Sequence, residues 1–107
     1  MLILQTMTHS PESCPLGNPA NLDTAIRWLE NLEPSAARHG IGVVGVWTDR
    51  AGHVSYAVFD VPSMEAFTRF EVAPENIPVL TFNTVEKKVV TPAGETLAFF
   101  HARQSAR

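Results

Sequence analysis

The strand-like segments of this chain are apolar on both of their alternating faces, and that limits how a sheet made from them can be covered. Met1-Leu2-Ile3-Leu4-Gln5-Thr6-Met7-Thr8 sets Leu2 and Leu4 against Ile3 and Met7. Val54-Ser55-Tyr56-Ala57-Val58-Phe59-Asp60 likewise sets Tyr56 and Val58 against Ala57 and Phe59. Successive strand residues point to opposite faces, so this sheet needs cover on both sides. Only two stretches read as helices of useful length, enough for one face. The other face would be a large exposed apolar patch, and packing it on a second copy removes that patch. The expectation is a homodimer.

The helices are marked at their ends. Asn18-Pro19 supplies a capping side chain and a proline at the first helical position. Leu22, Ala25, Ile26, Leu29 and Leu32 then form the stripe of an amphipathic helix. Pro34 is expected to kink or restart this helix, which closes on Gly40. Gly42 to Thr48 and Val54 to Asp60 read as strands joined through Asp49-Arg50-Ala51-Gly52, a hairpin turn. Ser63 caps a second helix rotating through Met64, Phe67 and Phe70, which Pro74 ends. Ile77 to Val90 reads as the last long strand, interrupted by Pro78. Thr96-Leu97-Ala98-Phe99-Phe100 is expected to pack as a short strand or arm, with His101 to Arg107 a frayed tail. The division is therefore a domain over 1–95 and a C-terminal arm and tail over 96–107.

Strand, helix, strand, strand, helix, strand over residues 1–90 is the split βαβ of the ferredoxin-like fold, βαββαβ, in the α+β class. Its four-stranded antiparallel sheet carries two helices on one face. With Trp28-Leu29 in the first helix and His39-Gly40-Ile41 running into a Gly/Val strand, the chain resembles the dimeric α+β barrel superfamily. That superfamily includes small antibiotic-biosynthesis monooxygenases, muconolactone isomerase-like proteins and stress-response barrel proteins. The resemblance rests on element order and carries over no catalytic residue. It implies an apolar cavity between sheet and helices, suited to a small aromatic or polyketide-like substrate. Trp28, Trp47, Tyr56, Phe59, Phe67, Phe70 and Phe82 could line it, with Trp47, Tyr56 and Phe67 as substrate contacts. The same residues would serve equally as plain core.

The chemistry concentrates in His9-Ser10-Pro11-Glu12-Ser13-Cys14-Pro15, a strand-to-helix connection holding the only cysteine. In the expected topology the hairpin tip shares its rim, bringing His53 near His9. Two imidazoles, a thiolate and a carboxylate form a mixed donor set for zinc, iron or copper. His9, Cys14 and His53 are the expected ligands, with Glu12 a fourth ligand or a group that orients one. Asp49 and Glu75 are outer candidates; His39 falls on the opposite rim, and His101 has no assigned place. Alternatively Cys14 is a redox or nucleophilic thiol, with His9 or His53 lowering its pKa or acting as its base. Cys14 and His9 are then the catalytic candidates. A lone cysteine often only fills a core, and a hairpin-tip histidine is often only solvated.

The main expectation is a small homodimeric metal-binding protein, with a metal- or thiol-dependent activity left open. The alternative is a cofactor-free monooxygenase or isomerase in which His9 or His53 acts as base on a substrate in the cavity. A non-catalytic binding or interaction domain is the third. The net charge of −3 and scattered lysines and arginines exclude a basic nucleic-acid footprint. One cysteine permits no internal disulfide, which fits a reducing cytoplasm. The opening apolar run is too short for a signal peptide or a membrane span.

Overall fold

β1 (Leu2–Thr8) lies inside a four-stranded antiparallel sheet of order β2-β3-β1-β4, where β2 is Gly42–Asp49, β3 is Val54–Asp60 and β4 is Thr84–Val90. The computed structural model describes residues 1–106. β1 pairs β3 from Leu2↔Asp60 to Thr8↔Val54, and pairs β4 from Leu2↔Val90 to Thr8↔Thr84. Alternation along β1 is strict, with Ile3, Gln5 and Met7 buried and Leu2, Leu4 and Thr6 half-buried. The inner face holds the core: Ile3, Met7, Ala57 and Phe59 pack with Trp28, Leu32 and Ala36 of α1 (Pro19–Arg38) and with Phe67 and Phe70 of α2 (Met64–Glu71). Phe59 lies 5.4 Å from both of those α2 rings, centroid to centroid.

α1 starts where Asn18 caps it, its Oδ1 accepting the Asn21 N–H at 3.1 Å. Of the two outcomes expected at Pro34, a kink or a restart, the restart does not occur, and the helix continues to Arg38. Pro34 is exposed, whereas Ser35 and Ala36 beside it are buried. Packing on that buried side holds the helix across the missing backbone bond.

The last strand is shorter than its apolar run suggests. Ile77–Leu80 forms α3, a single helical turn, and β4 begins only at Thr84. Buried Asn76 decides this, its Nδ2 donating to Phe70 O at 2.8 Å and to Ser35 Oγ at 3.0 Å. Those bonds hold the chain against α1 and α2, with Pro78 inside the next turn.

A second difference concerns the C-terminus. Thr96–Phe100 is not a strand but part of α4 (Ala93–Ser105). Pro92 ends the extended chain, and the Ala-, Glu- and Leu-containing sequence after it favours helix. The helix runs through most of the expected tail, of which Arg107 lies outside the described residues. None of its residues is buried. The radius of gyration, 16.4 Å, exceeds the roughly 13 Å of a compact chain of this length, because α4 projects from the body.

Between Val43 and Gly45 the β2–β3 register shifts by a bulge. The shift places Val46 opposite Ala57 on the inner face and Trp47 opposite Tyr56 on the outer one. Trp47 folds back over Gly45, where a Cβ would stand 2.4 Å from the indole. Among the described residues no helix covers this outer face, and Trp47 and Tyr56 remain exposed on it.

Candidate functional site

The β1–β3 ladder ends at Thr8↔Val54, so the next opposed pair is His9 and His53. The His9 N–H donates to the His53 carbonyl at 3.2 Å. Both rings line the same cavity as Met7 and Ser55 and meet edge to face with centroids 5.4 Å apart. The hairpin is shaped for this: Asp49 Oδ1 accepts the Gly52 N–H at 3.0 Å, and a Cβ at Gly52 would displace the Asp49 carboxylate. His53 itself carries the left-handed backbone, φ 57°. That conformation is uncommon outside glycine, although histidine is among the residues enriched there.

Cys14 arrives from the connection after β1. Ser10 caps a single 3-10 turn over Pro11–Ser13, accepting the Ser13 N–H at 3.2 Å. Asn21 Nδ2 ties the Ser13 carbonyl to α1 at 2.8 Å. The turn buries Cys14, and one donor atom from each of His9, Cys14 and His53 lies within 4.8 Å of the others.

Asn83 orients His9. Its Nδ2 donates to the Val79 carbonyl at 2.9 Å, so its Oδ1 faces His9 Nδ1, 3.2 Å away. A carbonyl oxygen only accepts, so in neutral His9 the proton sits on Nδ1 and Nε2 keeps a lone pair. Both His9 Nε2 and His53 Nδ1 are buried without a hydrogen-bond partner among the described residues. Unpartnered buried nitrogens are uncommon and are explained by a bound water or ion, a catalytic role or strain.

These side chains wall a cavity of about 250 Å³, whose apolar lining includes Met7, Trp28, Leu29, Val79 and Phe82. A 150 Å³ apolar cavity accepts benzene, so this one has room for one or two rings. The structure therefore brings His9, Cys14 and His53 together, and leaves Glu12 out: it is exposed on the 3-10 turn and does not line the cavity. Asp49 reaches the rim with its carboxylate committed to the turn. Glu75 lies elsewhere, bonded at 2.7 Å to both Ser35 Oγ and Arg38. The Ser35 hydroxyl, a backbone N–H and Arg38 hold its carboxyl down at about 2, the mark of a structural anchor. His39 packs on Phe70 away from the cavity, and His101 sits on α4.

None of the three expected substrate contacts lines this cavity. The bulge in β2 turns Trp47 outward, Tyr56 shares that outer face, and Phe67 is sealed in the core with Phe59 and Phe70. Of the aromatic candidates, Trp28 and Phe82 line the cavity. Asn83 escapes a reading of the sequence because residues 77–90 scan as one strand. Its signal is a single asparagine between Phe82 and the start of β4.

No protein-family model matches the chain, and no curated protein matches it significantly. Solved structures do. A crystal structure of an antibiotic biosynthesis monooxygenase aligns with TM-score 0.55 at 12% identity, over 86% of this chain and 100% of that one. An uncharacterised NIPSNAP domain protein from Burkholderia xenovorans aligns with TM-score 0.53 at 10% identity, over 85% and 95%. The likeness is one of fold. SnoaB, a cofactor-independent oxygenase from Streptomyces nogalater, aligns at TM-score 0.48 and 20% identity, over 85% and 90%. The α+β ferredoxin-like architecture expected from element order is thus the observed one, shared with monooxygenase-like and NIPSNAP proteins.

Proposed function

We propose that the cavity is the active site of a small-molecule enzyme without a resident organic cofactor, an oxygenase or isomerase acting on a small aromatic or polyketide-like substrate. The observation that carries this is the His9 Nε2 lone pair, buried and unpartnered in the wall of an apolar cavity of about 250 Å³. An imidazole so placed is a general base for a phenol or an acidic C–H. The resulting anion either takes its proton back at another atom, an isomerisation, or reacts with dioxygen. The fold shared with an antibiotic biosynthesis monooxygenase supports the reading. Cys14 is reached from the same cavity, so its thiol is open to a molecule already bound there.

Binding of hydroxylated mono- and bicyclic aromatics is followed through the fluorescence of Trp28 in the cavity wall, with oxygen uptake and product analysis for the active compounds. His9→Ala should retain binding and lose turnover. Full turnover in His9→Ala, or no aromatic bound at millimolar concentration, would refute the reading.

A second reading treats His9, Cys14 and His53 as ligands of a zinc, iron or copper ion. It is favoured by the three converging donors and by the two unpartnered ring nitrogens. In either case the active unit is a homodimer, its copies joined through the uncovered outer sheet face bearing Leu4, Trp47, Tyr56 and Val58. A lone free cysteine suits a cytoplasmic setting, and no described helix is long and apolar enough to cross a membrane.

A further inference from the structure

Resting on the metal reading above, we propose that a divalent ion held by His9, Cys14 and His53 keeps one coordination position open into the apolar cavity, where a monoanionic aromatic ligand, a phenolate or thiolate, binds the ion directly. Three observations carry this: the number of donors, the cavity they line, and the charge they sum to.

His9, Cys14 and His53 are the donors within reach of one another, and among the described residues no further histidine, cysteine or carboxylate joins them. Glu12 is exposed away from the cavity, and Asp49 is bonded to the Gly52 N–H. Four-coordinate zinc closed by four protein ligands is structural, whereas three ligands leave a position for water or substrate. Tetrahedral bonds to nitrogen and sulfur would set the donors about 3.4 Å apart. The donors stand within 4.8 Å of one another, so an ion would draw them closer together. Asn83 at His9 Nδ1 is the kind of partner that orients a ligating imidazole.

All three side chains line the cavity, which they share with Trp28, Leu29 and Phe82 and with Asp49 and Arg50, whose opposite charges offset each other. Charge then selects the occupant. A divalent ion with one thiolate and two neutral imidazoles carries a net charge of +1, and an uncompensated charge facing apolar walls is costly. A monoanion cancels it, and an aromatic ring fills the rest of the space.

The test uses the full-length reduced protein and cobalt(II) as a spectroscopic stand-in for zinc. Equilibrium dialysis should give one cobalt per chain, with a thiolate-to-cobalt charge-transfer band. Cys14→Ser should abolish that band and His53→Ala weaken binding, each variant being checked for native circular dichroism. Benzenethiolate should then shift the cobalt d–d bands and bind at least about tenfold more tightly to loaded than to metal-free protein, with toluene showing no such preference. Failure to bind cobalt overturns both the metal reading and this inference. Cobalt bound with the charge-transfer band, but with benzenethiolate indifferent to the metal, overturns the open position alone. An approximately tenfold loss of cobalt affinity in Glu12→Ala also overturns it, by showing that a fourth protein ligand closes the site.

Discussion

Replacing Asn83 by alanine tests the feature on which both readings of the site depend, the direction of the His9 lone pair. In the native chain the Asn83 amide is held by the Val79 carbonyl at 2.9 Å, which leaves Oδ1 facing His9 Nδ1 at 3.2 Å. That contact favours the Nδ1–H tautomer by the net worth of one hydrogen bond, about 0.5–1.5 kcal/mol, or a factor of about 2–12 in tautomer ratio. Asn83→Ala removes the acceptor, so the ratio should move toward Nε2–H by that factor. Long-range proton–nitrogen correlation spectra of protein labelled at histidine read both ring nitrogens directly. The variant should also lose about 1–3 kcal/mol of stability from two forfeited hydrogen bonds, measured by urea unfolding. Wild-type His9 with Nδ1 unprotonated, or an unchanged tautomer ratio in the variant, would refute the reasoning, because Nε2 would then not offer its lone pair to the cavity.

Other perturbations test the scaffold. Glu75 has a folded-state pKa lowered to about 2, so its stabilising contribution is present above the unfolded-state value and is lost as pH falls toward 2. Glu75→Gln should therefore lose less urea resistance than wild type between pH ~7 and ~3, and parallel losses would contradict the assignment. Leu32→Ala, at a side chain only 3% exposed, should cost about 2–5 kcal/mol in urea unfolding, whereas a loss below about 1 kcal/mol would mean α1 is not seated as described. Pro34→Ala should stabilise by about 1–2 kcal/mol with cavity ligands bound as before, because it restores a backbone bond inside a continuous helix. Light scattering should give a dimer mass that Trp47→Glu with Tyr56→Glu reduces to that of one chain; a wild-type monomer would refute the outer-face interface.

Topology made much of this legible in the string. Antiparallel pairing of the first and third strands brings the end of β1 and the hairpin tip to one rim, and so sets His53 beside His9. Element order was enough for the sheet. What escaped did so for local physical reasons. The β2 bulge reverses parity after Val43, so Trp47, which regular alternation sends inward, turns out. The buried Asn76 bonds convert the start of an apparent strand into a helical turn, and this hid Asn83. Glu75 looked like a rim carboxylate, but its Ser35 and Arg38 partners stand far back along the chain in α1, where no local pattern reveals them.

The bond from the His9 amide to the His53 carbonyl extends the β1–β3 ladder past its last assigned pair. The two imidazoles are therefore spaced by the pitch of a sheet, while Cys14 hangs on a turn tied to α1 through Asn21. Changes in residues 10–17 should therefore shift the thiol and leave the imidazoles in place, whereas changes at the ends of β1 and β3 should move both imidazoles together.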